Sequence, residues 1–282
     1  MANRLLSSLL LLAASSPVFS SPVPFSDIPL SNHPRSFSIS RRAANPPQAL
    51  PQRAPPNDIR YQPSLDFDTD GCYNVPAIGA DGRIVEGLEH NFVSASSNCR
   101  DLSDLDNNNV YSRARCNNGW CVYLYDYYFE KDVAIPNFFD AGHTHDWEHI
   151  AVWVKIDTGK AEYVAVSQHG GYEIKKASDV RWDGEHPKVV YHKDGASTHC
   201  FRFASAGDDK IENHKGVWFR GALVGFNGFP DSGLRERLFG WDFGKATIAI
   251  KDGQFAGNLG RAKPSEISGF DVNRDDGSPG FP

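Results

Sequence analysis

The densest chemistry in the chain is the run Gly142-His-Thr-His-Asp-Trp-Glu-His149. Three of the ten histidines fall within seven residues, beside two carboxylates. The run leads into Ile150-Ala-Val-Trp-Val-Lys-Ile156, the most hydrophobic strand candidate in the sequence. If Asp146 begins that strand, alternation sends Asp146 and Glu148 to one face and Trp147 and His149 to the other. His143, in the turn before it, can curl over the carboxylate face. Asp132 ends the run Tyr127-Tyr-Phe-Glu-Lys-Asp132 and can close the set from a neighbouring strand. Asp132, His143, Asp146 and Glu148 make an oxygen-rich group that suits Mg2+, Ca2+ or Mn2+, whereas four-coordinate zinc wants more nitrogen or sulfur. Without a cation, three clustered carboxylates repel, and one takes up a proton.

A second candidate cation site is Asp66-Phe-Asp68-Thr-Asp70-Gly71. It opens like an EF-type loop, with oxygens at alternate positions and a glycine for the sharp turn. The twelfth position is Ala77 instead of the bidentate Glu, so any cation there must draw on other oxygens.

The elements that must position these residues are mostly strands. Tyr123, Tyr125, Tyr127 and Phe129 alternate onto one face of residues 122–129. Residues 149–156 are nearly continuous in apolar character, as in a strand buried on both faces. Shorter candidates are 163–167, 188–192, 200–203, 217–219 and 246–250, and Ser232 is expected to cap a short helix that runs through Leu238. Many short strands with few helices predict an all-β sandwich or barrel. No repeat or break divides residues 61–264, and the polar, Gly/Pro-rich end (265–282) is expected to be a flexible tail.

Charge and composition narrow the partners. Residues 1–60 hold six Lys/Arg against two Asp/Glu, while the remainder holds 23 against 33. An acidic body argues against nucleic acid, whose phosphates need a positive footprint. Arg4 followed by the short apolar run Leu5–Ala14 and small residues reads as a secretory signal peptide over 1–20, too short to span a bilayer. The protein is therefore expected to be secreted and extracellular. Residues 21–60 carry nine prolines and a dibasic Arg41-Arg42, which reads as a disordered linker or propeptide.

Export permits disulfides among the five cysteines. Cys116-Asn-Asn-Gly-Trp-Cys121 contains a turn, so its two cysteines can meet across a hairpin. Cys72 and Cys99 form the other expected pair, closing a loop that contributes ~3 kcal/mol through chain entropy. Cys200 is left over in an apolar strand and is expected to be a buried, inert thiol. The cysteine spacing offers no second close pair of the kind a zinc site uses.

Gly142-His-Thr-His-Asp-Trp-Glu148 resembles the heptapeptide Gly-His-Arg-His-Asp-Trp-Glu of the necrosis-inducing, Nep-like protein family of plant-associated microbes. The likeness extends over 61–264. It includes Asp70-Gly-Cys72, Val75-Pro-Ala77, Asp81-Gly82, the Tyr-Tyr-Phe-x-Lys-Asp132 run, His169-Gly-Gly-Tyr172, Pro187-Lys-Val189 and Asp242-Phe-Gly-Lys-Ala246. The extra pair Cys116/Cys121 and the Asp-rich lead-in to Cys72 are similar to the second type within the family. The resemblance implies a single-domain β-sandwich, similar in build to cytolysins and fungal lectins. It implies a divalent cation, Mg2+ or Ca2+, at Asp132, His143, Asp146 and Glu148, with His145, Trp147 and His199 as sugar- or lipid-binding neighbours. It also implies a target, the terminal sugar of glycosylinositol phosphorylceramide sphingolipids in the outer leaflet of plant plasma membranes, followed by membrane damage. Thr144 stands where the family has Arg, and the loop Val133–Gly142, with Phe138-Phe139, is longer.

Two other classes compete with a cytolytic toxin. One is a sugar-binding effector without lysis. The other is a metal-dependent enzyme, since His143-x-His145 resembles the cupin metal motif. There, however, the next Glu follows after three or four residues and not two. No nucleophile elbow or phosphate-binding glycine loop is present, so no catalytic residue is expected.

Overall fold

The structure, a computed structural model, describes residues 45–278. The expected signal peptide, residues 21–44 and the Arg41-Arg42 pair lie outside the described residues. Ten strands form two sheets: β1 (Ser64–Phe67), β2 (Asn109–Asn117), β3 (Trp120–Val133), β4 (Gly142–Lys155), β5 (Lys160–Gln168), β6 (Gly171–Lys176), β7 (Trp182–Asp183), β8 (His186–Lys193), β9 (His199–Phe203) and β10 (Ala222–Gly225). The larger sheet has the order β10-β2-β3-β4-β5-β6, and the smaller joins β1, β8 and β7, with β9 also pairing β8. Among the described residues, four short α-helices accompany them: α1 (Pro56–Arg60), α2 (Leu102–Asp106), α3 (Ser232–Gly240) and α4 (Phe255–Ala262).

The fold is the expected β-sandwich. The face of β3 carrying Tyr123, Tyr125, Tyr127 and Phe129 packs with Ile150, Val152 and Val154 of β4 onto Val189, Tyr191 and Phe201 of the smaller sheet. The opposite face of the larger sheet is also covered. Val122, Leu124, Tyr128, Trp147, Ala151 and Trp153 pack under α3, α4 and the segment around Ile248–Ile250. Burial on both faces explains the unbroken apolar character of β4. Asn118 and Gly119, with φ of 48° and 83°, make the two-residue turn between β2 and β3. That turn sets Cys116 opposite Cys121, and the two are bridged. Cys72–Cys99 is bridged as well, and Cys200 is free and buried.

Several expectations are corrected. Residues 45–60 are part of the fold. Leu50 and Ala54 are buried, Arg53 bridges Val224, and the amide of Leu50 donates to Asn109 Oδ1 at 2.8 Å. Pro55 and Pro56 suit the start of α1, where the first amides have no partner within the helix to lose. The tail also packs, as far as Asp276, whose amide donates to the Cys116 carbonyl at 2.7 Å. Ile267 and Phe270 are buried, and the Cys116 amide donates to Asp275 Oδ1 at 3.1 Å. Residues 246–250 are not a strand. The amides of Ala249 and Ile250 donate to the carboxylate of Asp126, which replaces a ladder for that buried run. Phe219 makes only an isolated bridge to Leu65. The cap of α3 is Asp231, one residue before Ser232, accepting from the Leu234 amide at 2.9 Å.

Candidate cation and sugar site

Asp132 and His143 both lie inside strands, not in the turns beside them, and face each other in the β3–β4 ladder. Regular alternation would turn His143 and Asp146, three residues apart, to opposite faces. His145 breaks the alternation. Its φ is 64°, and the ladder passes from the Phe129–Asp146 pair to Lys131–Thr144 without a Glu130–His145 pair. As a result, Asp132, His143 and Asp146 each offer a ligand atom, and the three atoms lie within 4.8 Å of one another. β5 pairs with β4 only over Ile150–Lys155, so the Gly142–His149 half of β4 is laddered to β3 alone, with one edge left open.

His199 of β9 fixes Asp132. Its backbone N–H donates to Oδ2 at 2.8 Å, and Nδ1 lies 2.7 Å from Oδ1. Burial opposes a charge on His199. The hydrogen bond to Asp132 and the ion pair with Asp70, 3.6 Å from Nε2, outweigh it and raise the imidazole to about 9. His199 is thus imidazolium at neutral pH, and Nδ1–H is the donor. Tyr191 stacks on His199 and donates its hydroxyl to Asp146 at 3.1 Å. Burial first, and the charge of Asp132 second, push the Asp146 carboxyl up to about 7. Burial, followed by Asp146, pushes Glu148 well above the carboxylate range. Buried carboxyls that resist ionisation beside an imidazole are the donors a divalent cation would charge, so the residues fit a hard cation.

Glu148 is not among the converging three. It lies on the expected face but takes a hydrogen bond from the Ser167 hydroxyl of β5. The three residues expected to contact sugar are also placed differently. His145 bonds the Tyr128 hydroxyl through Nδ1 at 2.6 Å and packs edge-on against Phe243. Trp147 is buried among Tyr111, Tyr128 and Phe243 and only borders the cavity described below. His199 is buried at 3% exposure, behind Asp132. Trp147 and His199 are buried, and His145 is half-buried beside them. Asp66, Asp68 and Asp70 are not among the groups whose ligand atoms converge within the described residues. Asp66 accepts from the amides of Glu212 and Asn213, Asp68 pairs with Arg202, and Asp70 pairs with His199. Each carboxylate thus has a partner within the protein.

The open edge of β4 looks into a cavity of about 290 Å³ lined by Asp146, Glu148 and His149 and, from the far side, by Gln254, Asn258 and Arg261. Burial, with Arg261 adding repulsion, lowers His149 to about 3, so it is neutral. The α4 residues are functional candidates that the sequence motif did not reveal, because nothing local ties them to β4. Next to the ligand strands, Phe92, Phe138 and Phe139 stand 67%, 63% and 69% exposed. The Phe92 amide donates to the Phe138 carbonyl at 3.1 Å, and the Phe92 and Phe139 rings lie 6.0 Å apart, so two loops form one apolar tip.

A family model for necrosis inducing protein (NPP1) matches residues 56–262. The chain belongs to the necrosis-inducing protein family. NLP effector protein 10 of Phytophthora capsici is 31% identical over 209 residues, covering 72% of this chain and 81% of the relative. The necrosis-inducing protein NPP1 of Phytophthora nicotianae is 28% identical over 208 residues, covering 72% and 81%. Among solved structures, one described as a toxin fold for microbial attack and plant defence matches with a TM-score of 0.64 and 26% identity, over 77% of this chain and 96% of that one. NLPPya in complex with mannosamine matches at 0.63 and 26%, over 77% and 96%. The necrosis-inducing fold and the toxin-like effector class are thereby shown for this chain. One of these relatives is named as an effector and the other as a necrosis-inducing protein. The two disulfides agree with the second type within the family.

Proposed function

We propose that this necrosis-inducing protein is a secreted, cation-dependent cytolysin that grips the terminal sugar of plant sphingolipid headgroups and then damages the outer leaflet. The observation that carries the reading is the convergence of Asp132, His143 and Asp146 at the edge of a polar cavity, next to an exposed three-phenylalanine tip. Asp132, His143 and Asp146 would hold Mg2+ or Ca2+, with Glu148 one position further along. The cation would supply coordination to vicinal hydroxyls of a sugar. The protein's own residues do the rest. His199 and Tyr191 aim the two aspartates, Arg261 offers donors across the cavity while Asn258 Oδ1 holds its guanidinium at 2.6 Å, and His149 stays a neutral wall. NLPPya, a family member, has been solved with mannosamine and with glucosamine, which supports sugar as the ligand class.

An acidic body is repelled by anionic headgroups, so sugar recognition has to come before contact by the apolar tip. Among the described residues, no helix is long and apolar enough to cross a membrane. The test is dye release from vesicles with and without glycosylinositol phosphorylceramide, in Mg2+ or Ca2+ and in chelator. Release that needs both the sphingolipid and the cation supports the proposal. Release from plain phosphatidylcholine vesicles in chelator refutes it, and binding without release points to a lectin-like effector.

A further inference from the structure

We propose that His169, Asp194 and Cys200 form a second metal site, selective for Zn2+, that joins the two sheets. One ligand atom from each lies within 4.8 Å of the other two. His169 Nε2 is 3.0 Å from Asp194 Oδ2, and Cys200 Sγ is 3.6 Å from Nε2 of His192 beside it. Tetrahedral zinc, with bonds of about 2.0–2.3 Å, sets neighbouring ligand atoms about 3.3–3.6 Å apart, so small side-chain adjustments suffice. The positions are held by the backbone. His169 and Gly170, with φ of 47° and 84°, form the two-residue turn between β5 and β6. Asp194 begins the β8–β9 hairpin loop, where its amide donates to the Thr198 carbonyl at 3.3 Å. Cys200 faces His192 across the β8–β9 ladder.

The donors set this site apart from the first. A thiolate and an imidazole favour zinc over Mg2+ or Ca2+. His199 reaches Asp132, and strand alternation sends Cys200 to the other side of β9. His169 and Asp194 are exposed while Cys200 is buried, so the metal has a path in and the thiol is covered once it is bound. As the Zn–S bond forms the S–H bond breaks, and the proton passes to His192 Nε2 or to solvent. The fourth position is left to water. The ligands come from the β5–β6 turn, the β8–β9 loop and β9, which is why cysteine spacing along the chain could not announce the site.

The test uses the secreted protein freed of metal by chelator and titrated with Co2+ as a spectroscopic substitute. The expected result is a thiolate-to-cobalt charge-transfer band that Zn2+ abolishes by displacement, that is absent in Cys200→Ala, and that persists in Asp146→Ala. Zn2+ is also expected to raise the Tm of the parent but not that of His169→Gln. His169 is exposed, so that variant remains informative if Cys200→Ala fails to fold. The proposal is overturned if the parent shows no such band, if the band survives in Cys200→Ala or is unchanged in His169→Gln, or if it disappears in Asp146→Ala.

Discussion

His199 binds Asp132 twice, through its backbone amide at 2.8 Å and its ring Nδ1–H at 2.7 Å, so both carboxylate oxygens are held from β9. This doubly bonded pair couples the smaller sheet to the ligand strands of the larger one. It also fixes the direction in which Asp132 presents its remaining lone pairs. His199→Gln is expected to weaken cation affinity by about 10–100-fold, the usual cost of losing an outer partner. Isothermal calorimetry with Mg2+ and Ca2+ measures this, and unchanged affinity would remove His199 from the site.

Asp146 and Glu148 share a face, yet only Asp146 is one of the three converging groups. Asp146→Ala is therefore expected to abolish cation binding and vesicle leakage, while Glu148→Ala lowers affinity without eliminating it. Equal loss in both variants, read by calorimetry, would put Glu148 back in the direct ligand set.

The exposure of Phe138 and Phe139 means that neither ring packs inward against Tyr127 or Phe129. Each ring can contribute ~1.5–3 kcal/mol on entering an apolar layer. A double Phe138→Ser, Phe139→Ser variant should keep its Tm and its affinity for free headgroup sugar but lose dye release. Release equal to that of the parent would assign the membrane contact elsewhere.

Buried Asp58 carries a pH signature away from the site. Burial outweighs the hydrogen bond from the Ser112 hydroxyl, at 2.6 Å, and raises Asp58 to about 7. The native state thus holds a proton that the unfolded chain has released. The Asp58 contribution is fully present below about pH 4 and is lost as pH rises through 7. Asp58→Asn should flatten the fall in stability between pH 4 and 7, by up to a few kcal/mol at about 1.4 kcal/mol per pH unit. Urea midpoints across that range would show it, and an unchanged slope would exclude Asp58 as the source.

The chain begun at residue 61 should be unstable. Leu50, Ala54 and α1 would be missing, and burial of a leucine side chain alone contributes ~1.5–3 kcal/mol. Thermal unfolding of that truncation against one begun at residue 45 is the comparison. Equal Tm values would make the segment dispensable.

Local periodicity and donor chemistry determined a good deal. Alternation of Tyr123, Tyr125, Tyr127 and Phe129 fixed the inner face of β3, because a strand has a period of two whatever it packs on. The turn at Asn118-Gly119 fixed one disulfide, and the clustering of Asp132, His143, Asp146 and Glu148 pointed to a hard cation. The tertiary structure decided what depends on distant groups. Ser167 draws Glu148 aside, Arg202 and His199 pair with Asp68 and Asp70, and the Glu212 and Asn213 amides take Asp66. The aromatic cluster around Phe243 takes His145 and Trp147 inward. Residues 45–60 and 265–276 join the fold by packing against strands that follow or precede them by scores of residues. The left-handed backbone at His145, which brings His143 and Asp146 together, has no signature in the motif, because a strand pattern records which residues alternate and not where the alternation breaks.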